Sequence, residues 1–211
     1  MINRRSAVRT KKGALLAIEG IDAVGKRTQS ALLVRWLRAK GKATASLSFP
    51  DYGTEIGREI RRFFNGERNY PAEAIHMLLA ANRWEKKWVL GETIAKNDAV
   101  VVNRYSGSNL AYGTSNGLDL DWLLNLEAGL PAADVVCVLD AAPQTLLTRR
   151  ELSRDRYERN LTLQDKARKA YLTLAPRFGW VIVDASKGIE ATSTSLTEAV
   201  AEFLALKGRT V

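Results

Sequence analysis

Five short apolar runs enriched in β-branched residues constrain this chain more than any other feature: ALLAI (14–18), ATASLSF (43–49), AVVV (99–102), DVVCVL (134–139) and WVIV (180–183). Each reads as a strand buried on both faces, and helical patterns fill the gaps between them. In TQSALLVRWLRAKG the apolar residues Leu32, Leu33, Trp36 and Leu37 share one face, and Gly41 supplies a stop. EIGREIRRFFNG repeats the scheme with Ile56, Ile60, Phe63 and Phe64 and closes at Gly66. Pro71 suits the first turn of one long helix running to about Lys96, while DLDWLLNLEAG, APQTLLTRREL and the segments after Leu161 supply further helices. Strands alternating with helices imply an α/β domain, a parallel sheet covered on both faces.

At 211 residues and 46% hydrophobic content the chain can bury one sizeable core. A single domain over residues 13–211 is expected, preceded by a basic, flexible leader over 1–12. Five of the nine net positive charges sit in that leader, on Arg4, Arg5, Arg9, Lys11 and Lys12, which leaves +4 on the body. A solvated tail explains the leader, so nucleic acid is not an expected partner. No apolar run approaches the roughly 18 residues that span a bilayer, and the start MINRRSAVRTKKG lacks the apolar core of a secretory signal. A soluble, cytoplasmic protein with no membrane partner is therefore expected. The one cysteine, Cys137, lies within an apolar run and reads as a core residue, and the one histidine, His76, as an ordinary helix residue.

The first strand runs directly into GIDAVGKRT and then into an amphipathic helix. That context makes GxxxxGK believable as a phosphate cradle. Gly20 and Gly25 let the backbone turn its N–H groups toward phosphate oxygens at a helix N-terminus, and Lys26 adds a point charge for the β and γ groups. The nucleotide-binding segment is taken as Gly20, Ile21, Asp22, Ala23, Val24, Gly25, Lys26, Arg27 and Thr28.

From this point the chain resembles the thymidylate kinase family of P-loop nucleoside monophosphate kinases, from Leu15 to the last helix. EGIDAVGKRTQ is similar to the family P-loop, with its acid at Asp22; FPDYGTEIG (49–57) resembles the acceptor segment and LLAANRWE (78–85) the base-contacting helix. NRYSGSNLAY (103–112) is similar to the DRY motif and its extension, and DRYE (155–158) resembles the lid signature. The resemblance implies the P-loop NTPase fold on a five-stranded parallel sheet, transfer of the γ-phosphate of ATP to dTMP with Mg²⁺, and a homodimer. It carries Arg83 to the thymine edge, Asn109 and Tyr112 to the base and sugar, and Phe49, Pro50, Tyr52, Ser108 and Glu158 to the acceptor side.

The cations make chemical sense of this. Two nucleotides must meet with phosphates in line, and arginine neutralises phosphate with a bidentate fork. Arg104 follows the AVVV strand at the edge where ligands of such folds bind, and is the first choice for bridging donor and acceptor. Arg149, Arg150, Arg154 and Arg156 crowd a segment that reads as a lid over about 149–160, expected to close over ATP and deliver charge to the transition state.

Three residues depart from the family pattern. Arg27 stands where a serine or threonine hydroxyl helps hold Mg²⁺, and Asn103 replaces the aspartate of DRY. Asp22 and Asn103 are thus the expected metal-shell residues, in a loosened site. Leu79 stands where a phenylalanine stacks on thymine, which leaves apolar contact alone. The leading expectation is an ATP-dependent dTMP kinase. The alternatives are a kinase of the same fold for another monophosphate such as dUMP, and a nucleotide-binding regulatory module with little catalysis.

Overall fold

The computed structural model describes residues 13–149 and 156–206, with the side chains of residues 147–149 and 158 outside that description. The leader, Arg150, Arg154 and the side chains of Arg149 and Glu158 lie outside the described residues.

Strands β1 (Ala14–Gly20), β2 (Thr44–Ser48), β3 (Ala99–Asn103), β4 (Val135–Asp140) and β5 (Val181–Asp184) form one parallel sheet in the order β2-β3-β1-β4-β5. All five expected runs are strands. β1 lies at the centre, and every one of its residues is buried. Its alternating side chains serve two cores. Leu16 and Ile18 join Leu33, Leu37, Val101, Cys137 and Leu196 on one face, whereas Leu15 and Ala17 join Leu90, Ile94, Val100 and Val102 on the other. Cys137 is a core residue, and burial pushes its thiol up to about 12.

The helices are α1 (Lys26–Ala39), α2 (Glu55–Phe64), α3 (Ala72–Glu85), α4 (Lys87–Lys96), α5 (Ser106–Ser115), α6 (Leu120–Glu127), α7 (Arg156–Arg159), α8 (Leu161–Phe178) and α9 (Ile189–Leu206). The long helix expected from Pro71 to Lys96 is two helices, α3 and α4, hinged at Lys86. They pack on different partners: Leu90 and Ile94 of α4 cover the sheet, while Ile75 of α3 joins Ile60 and Phe63 of α2 in a separate small cluster. The Lys86 ammonium holds Asp51 Oδ2 at 2.7 Å, fixing the hinge to the segment after β2. APQTLLTRREL, expected as a helix, is a 3₁₀ turn over Pro143–Arg149 as far as it is described.

β1 connects outward to β2 and β3 connects across to β4. The strand order therefore reverses between β1 and β3, opening a crevice at their carboxyl ends. The loop after Gly20 and the residue Arg104 flank that crevice, with the Arg104 N–H donating to Ile18 O at 3.0 Å.

Candidate active site

The cradle is built by two glycines with different tasks. Gly20 has φ +131, and a Cβ there would meet Leu139 O at 2.5 Å, so only glycine lets β1 turn out beside β4. Gly25 caps α1 at φ 104 without a side-chain hydrogen bond, so the first N–H groups of α1 have no side-chain acceptor from their cap. Lys26 is buried and folds back over the loop, donating from Nζ to Ile21 O at 2.6 Å and lying 4.0 Å from Asp22 Oδ1. Arg27 and Thr28 are exposed at the start of α1.

Asp22 is the hub of the crevice. Arg104 Nη2 donates to its Oδ1, and Tyr112 OH and Gln164 Nε2 donate to Oδ2 at 2.9 and 2.8 Å. Burial works against the charged carboxylate, but the nearby Arg104 and Lys26 charges and the bonds from Gln164 and Tyr112 hold it below the usual range. Arg104 itself adopts φ 61 immediately after β3, which directs it across the crevice, and donates from Nη1 to Ser108 Oγ at 3.2 Å. A second carboxylate supports this arrangement from beneath. Glu19, fully buried in β1, accepts from Ser108 Oγ at 2.6 Å, Tyr105 N at 2.8 Å and Tyr171 OH at 3.1 Å, and so ties the start of α5 to the sheet.

A cavity of about 630 Å³, its open mouth included, leads away from this hub. Asp22, Phe49, Pro50, Tyr52, Leu79, Arg83, Arg104, Ser108, Asn109 and Tyr112 all line it. These are the expected acceptor-side residues, with the Glu158 side chain outside the description. Phe64 and Tyr157 complete the wall. Tyr157 stacks on Tyr112 with centroids 5.8 Å apart, and Arg61 lies 4.5 Å over the Tyr52 ring. Leu79 is accompanied by these rings, so the cavity is aromatic despite the missing phenylalanine.

Arg83 enters from α3, buried, and its Nε and Nη2 both donate to Glu127 at the end of α6, Nε at 2.9 Å. Asn109 Nδ2 donates to the same Glu127 carboxylate at 2.8 Å, and Asn109 Oδ1 is 2.7 Å from His76 Nδ1. His76 is therefore not an ordinary helix residue but a fully buried strut between α3 and α5. Burial dominates its ionisation, lowering its pKa to about 4 in spite of the Asn109 bond.

The other expected groups lie elsewhere. Arg156 donates to Asn69 Oδ1 at 3.0 Å and rests 4.7 Å over the Phe63 ring, away from the cavity lining. Asn103 donates from Nδ2 to Ser48 Oγ at 3.3 Å, while its buried Oδ1 has no hydrogen-bond partner among the described residues. No group of three or more His, Cys, Asp or Glu residues among those described could by itself hold a metal ion.

Comparison with known proteins decides the family. The family model described as thymidylate kinase matches residues 18–196. The chain belongs to the thymidylate kinase family. A thymidylate kinase of Arabidopsis thaliana is 35% identical over 203 residues, covering 94% of this chain and 76% of that protein. The Homo sapiens thymidylate kinase is 35% identical over 184 residues, covering 86% of each. A solved thymidylate kinase structure from Candida albicans superposes with a TM-score of 0.77 at 26% identity, covering 94% of this chain and 93% of that one. The fold is thus the P-loop NTPase fold, as the sequence led one to expect. Among the described residues of this family member, no helix is long and apolar enough to cross a membrane.

The residues not foreseen are those that hold the foreseen ones. Glu19 had a visible signal, an acid at the end of an apolar strand. Tyr157 lay inside the DRYE motif but was not singled out there; Gln164 and Glu127 had no signal, because they come from α8 and α6 and reach the site only through tertiary packing.

Proposed function

We propose that this protein is an ATP-dependent dTMP kinase. The observation that carries the reading is the continuity of one cavity from Arg83 and Leu79 to Asp22 and Arg104, beside the Lys26 cradle. One end suits a pyrimidine base between apolar walls, and the other suits an acceptor phosphate facing a donor phosphate chain.

In this reading the N–H groups at the start of α1 and the Lys26 ammonium bind the ATP phosphates. Arg104 neutralises the acceptor phosphate, oriented by Ser108 and by Asp22, which also keeps the guanidinium at the crevice. An oxygen of the dTMP phosphate attacks the γ-phosphorus, the bond to the bridging β–γ oxygen breaks, and ADP leaves with its electron pair. There is little covalent chemistry for the protein, so position and positive charge supply the acceleration. Arg149, Arg150, Arg154 and Arg156 of the lid add charge as it closes, and Arg156 must leave Asn69 to contribute.

The residues present fit Mg²⁺ bound jointly with the nucleotide. A magnesium ion prefers oxygen ligands and keeps several waters. Asn103 Oδ1 is one of three buried side-chain oxygens, with Gln29 Oε1 and Ser30 Oγ, that have no hydrogen-bond partner among the described residues, and Asp22, already engaged by three donors, is suited to acting through water. Bound there, Mg²⁺ would neutralise phosphate charge. A homodimer and a cytoplasmic location accompany this reading, and neither nucleic acid nor a membrane is part of it.

A second reading, kinase action on a further monophosphate such as dUMP, rests on Leu79 alone, which gives the cavity no ring of its own at that point. Broad substrate specificity is ascribed to the Candida albicans relative. The test of the primary reading is label transfer: with γ-labelled ATP and dTMP, the label should appear in dTDP. Hydrolysis to inorganic phosphate without labelled dTDP would refute it.

A further inference from the structure

Arg83 and Asn109 line the cavity from two different helices, yet both are held by a residue that does not line it. Glu127 is the last residue of α6, with its side chain only 8% exposed. An acid in the last turn runs against the helix dipole, so α6 itself offers no reason for a carboxylate there. Its partners do. Arg83 gives it Nε and Nη2, and Asn109 gives it Nδ2. The seat is rigid: Trp84, next to Arg83, donates from Nε1 to Leu126 O at 2.8 Å, and a Cβ on Gly129 would come within 3.0 Å of the Trp84 ring.

A carboxylate only accepts, and this fixes the direction of the whole chain of hydrogen bonds. Asn109 must present Nδ2 to Glu127 and so turns Oδ1 to His76 Nδ1, which carries the proton. His76 Nε2 is then bare and accepts from Asn116 Nδ2 at 3.2 Å. The Asn109 amide is thereby spent inside the protein, and of the Arg83 guanidinium only Nη1 is not taken by Glu127. The base end of the cavity is left with a donor from Arg83 and no competing amide.

We infer that Glu127 is a positioning residue for base recognition, holding Arg83 so that a single donor nitrogen meets a pyrimidine carbonyl and holding Asn109 so that its oxygen cannot accept from an exocyclic amine. This rests on the proposed kinase reading, but the role is one of binding and can be measured separately from turnover. With Glu127→Gln the direction of the chain is no longer enforced: one face of the new amide opposes the donors of Arg83 and Asn109, and Asn109 can flip.

The test is calorimetric binding of dTMP, dCMP and ATP to the full chain and to Glu127→Gln and Glu127→Asp, alongside turnover of dTMP. Expected for Glu127→Gln are dTMP binding at least tenfold weaker, a dTMP-over-dCMP preference narrowed at least tenfold, and ATP binding within twofold of wild type. Glu127→Asp keeps the charge on a shorter arm and should recover most of the preference, with dTMP about threefold weaker than wild type. Unchanged dTMP binding in Glu127→Gln, an equal loss of ATP binding, or no recovery in Glu127→Asp overturns the inference. Should the glutamine variant fail to fold, Glu127→Asp decides alone, and its binding dTMP as wild type does overturns it. A wild-type protein that binds dTMP without turning it over refutes the kinase reading and leaves the Glu127 comparison intact, whereas one that does not bind dTMP overturns both.

Discussion

Asp22 and Arg104 face each other across the crevice between β1 and β3 and are joined by a direct ion pair, while the other Asp22 oxygen is occupied by Tyr112 and Gln164. Through these partners Asp22 brings the P-loop, the end of β3, α5 and α8 to one point. Removing its negative charge leaves the Arg104 and Lys26 cations facing a neutral amide in a buried place. Asp22→Asn is therefore expected to destabilise the fold by about 3 kcal/mol, the usual cost of breaking a buried pair, and to lower turnover on the order of a hundredfold. Urea unfolding and steady-state kinetics measure the two effects. Wild-type stability together with wild-type turnover would show that the pair has neither role.

Lys26 separates binding from folding. It is buried at 7% exposure against its own loop, so Lys26→Ala should leave a folded protein while lowering phosphoryl transfer by on the order of a thousandfold. Circular dichroism and turnover check the two halves of that statement. Near-normal turnover removes the cradle assignment.

The buried histidine predicts a pH effect on stability. His76 is the only histidine in the chain, and its folded pKa is lowered to about 4 from an unfolded value of 6.5. Above pH 6.5 the ring is neutral in both states and stability is unaffected. Between pH 6.5 and 4 the unfolded chain takes up the proton first, so stability falls with pH, by about 2 kcal/mol at pH 5 and about 3 at pH 4. The groups facing the ring work in opposite senses, Arg83 against its protonation and Asn109 and Glu127 in its favour, and all are outweighed by burial. Denaturant unfolding at pH 7.5, 6 and 5 reads the slope, and His76→Gln should flatten it over that window. A wild-type curve already flat from pH 6.5 to 5 contradicts the burial of a neutral ring.

How much of this could be read from the chain depends on whether an interaction is local or assembled. All five strands were legible because burial on both faces leaves continuous apolar runs, and the cradle because its glycines, lysine and helix are contiguous. Arg83, Leu79, Asn109 and Tyr112 came from family resemblance and line one cavity. The break at Lys86 was hidden, since α3 and α4 each keep a helical pattern and the hinge is set by what they pack against. Glu127 and Gln164 were hidden for a related reason: an acid in NLEAG or a glutamine in LTLQD looks like any surface residue until α6 and α8 are folded against α3 and the P-loop.

Leu79 sets an expectation for selectivity. A methyl group in an apolar pocket is worth only about 1 to 3 kcal/mol of discrimination, so the preference for dTMP over dUMP should be modest, and Leu79→Phe should tighten dTMP by adding a ring to the wall beside Phe64 and Tyr157. Paired dTMP and dUMP kinetics on both proteins measure this. A wild-type preference above about a thousandfold, or weaker dTMP binding in Leu79→Phe, contradicts it.

The central claim is that one cavity, walled by Arg83 at the base end and by Asp22 and Arg104 at the phosphate end, delivers dTMP to ATP held over Lys26. Its most direct measurement is ADP release, coupled to a reporter and recorded with ATP and each of dTMP, dUMP, dCMP, dAMP and dGMP in turn. The predicted result is turnover with dTMP at the highest kcat/KM, dUMP following within about a thousandfold and the purine monophosphates far behind. ATP binding without ADP release for any of the five, or a purine monophosphate as the best acceptor, would contradict the account.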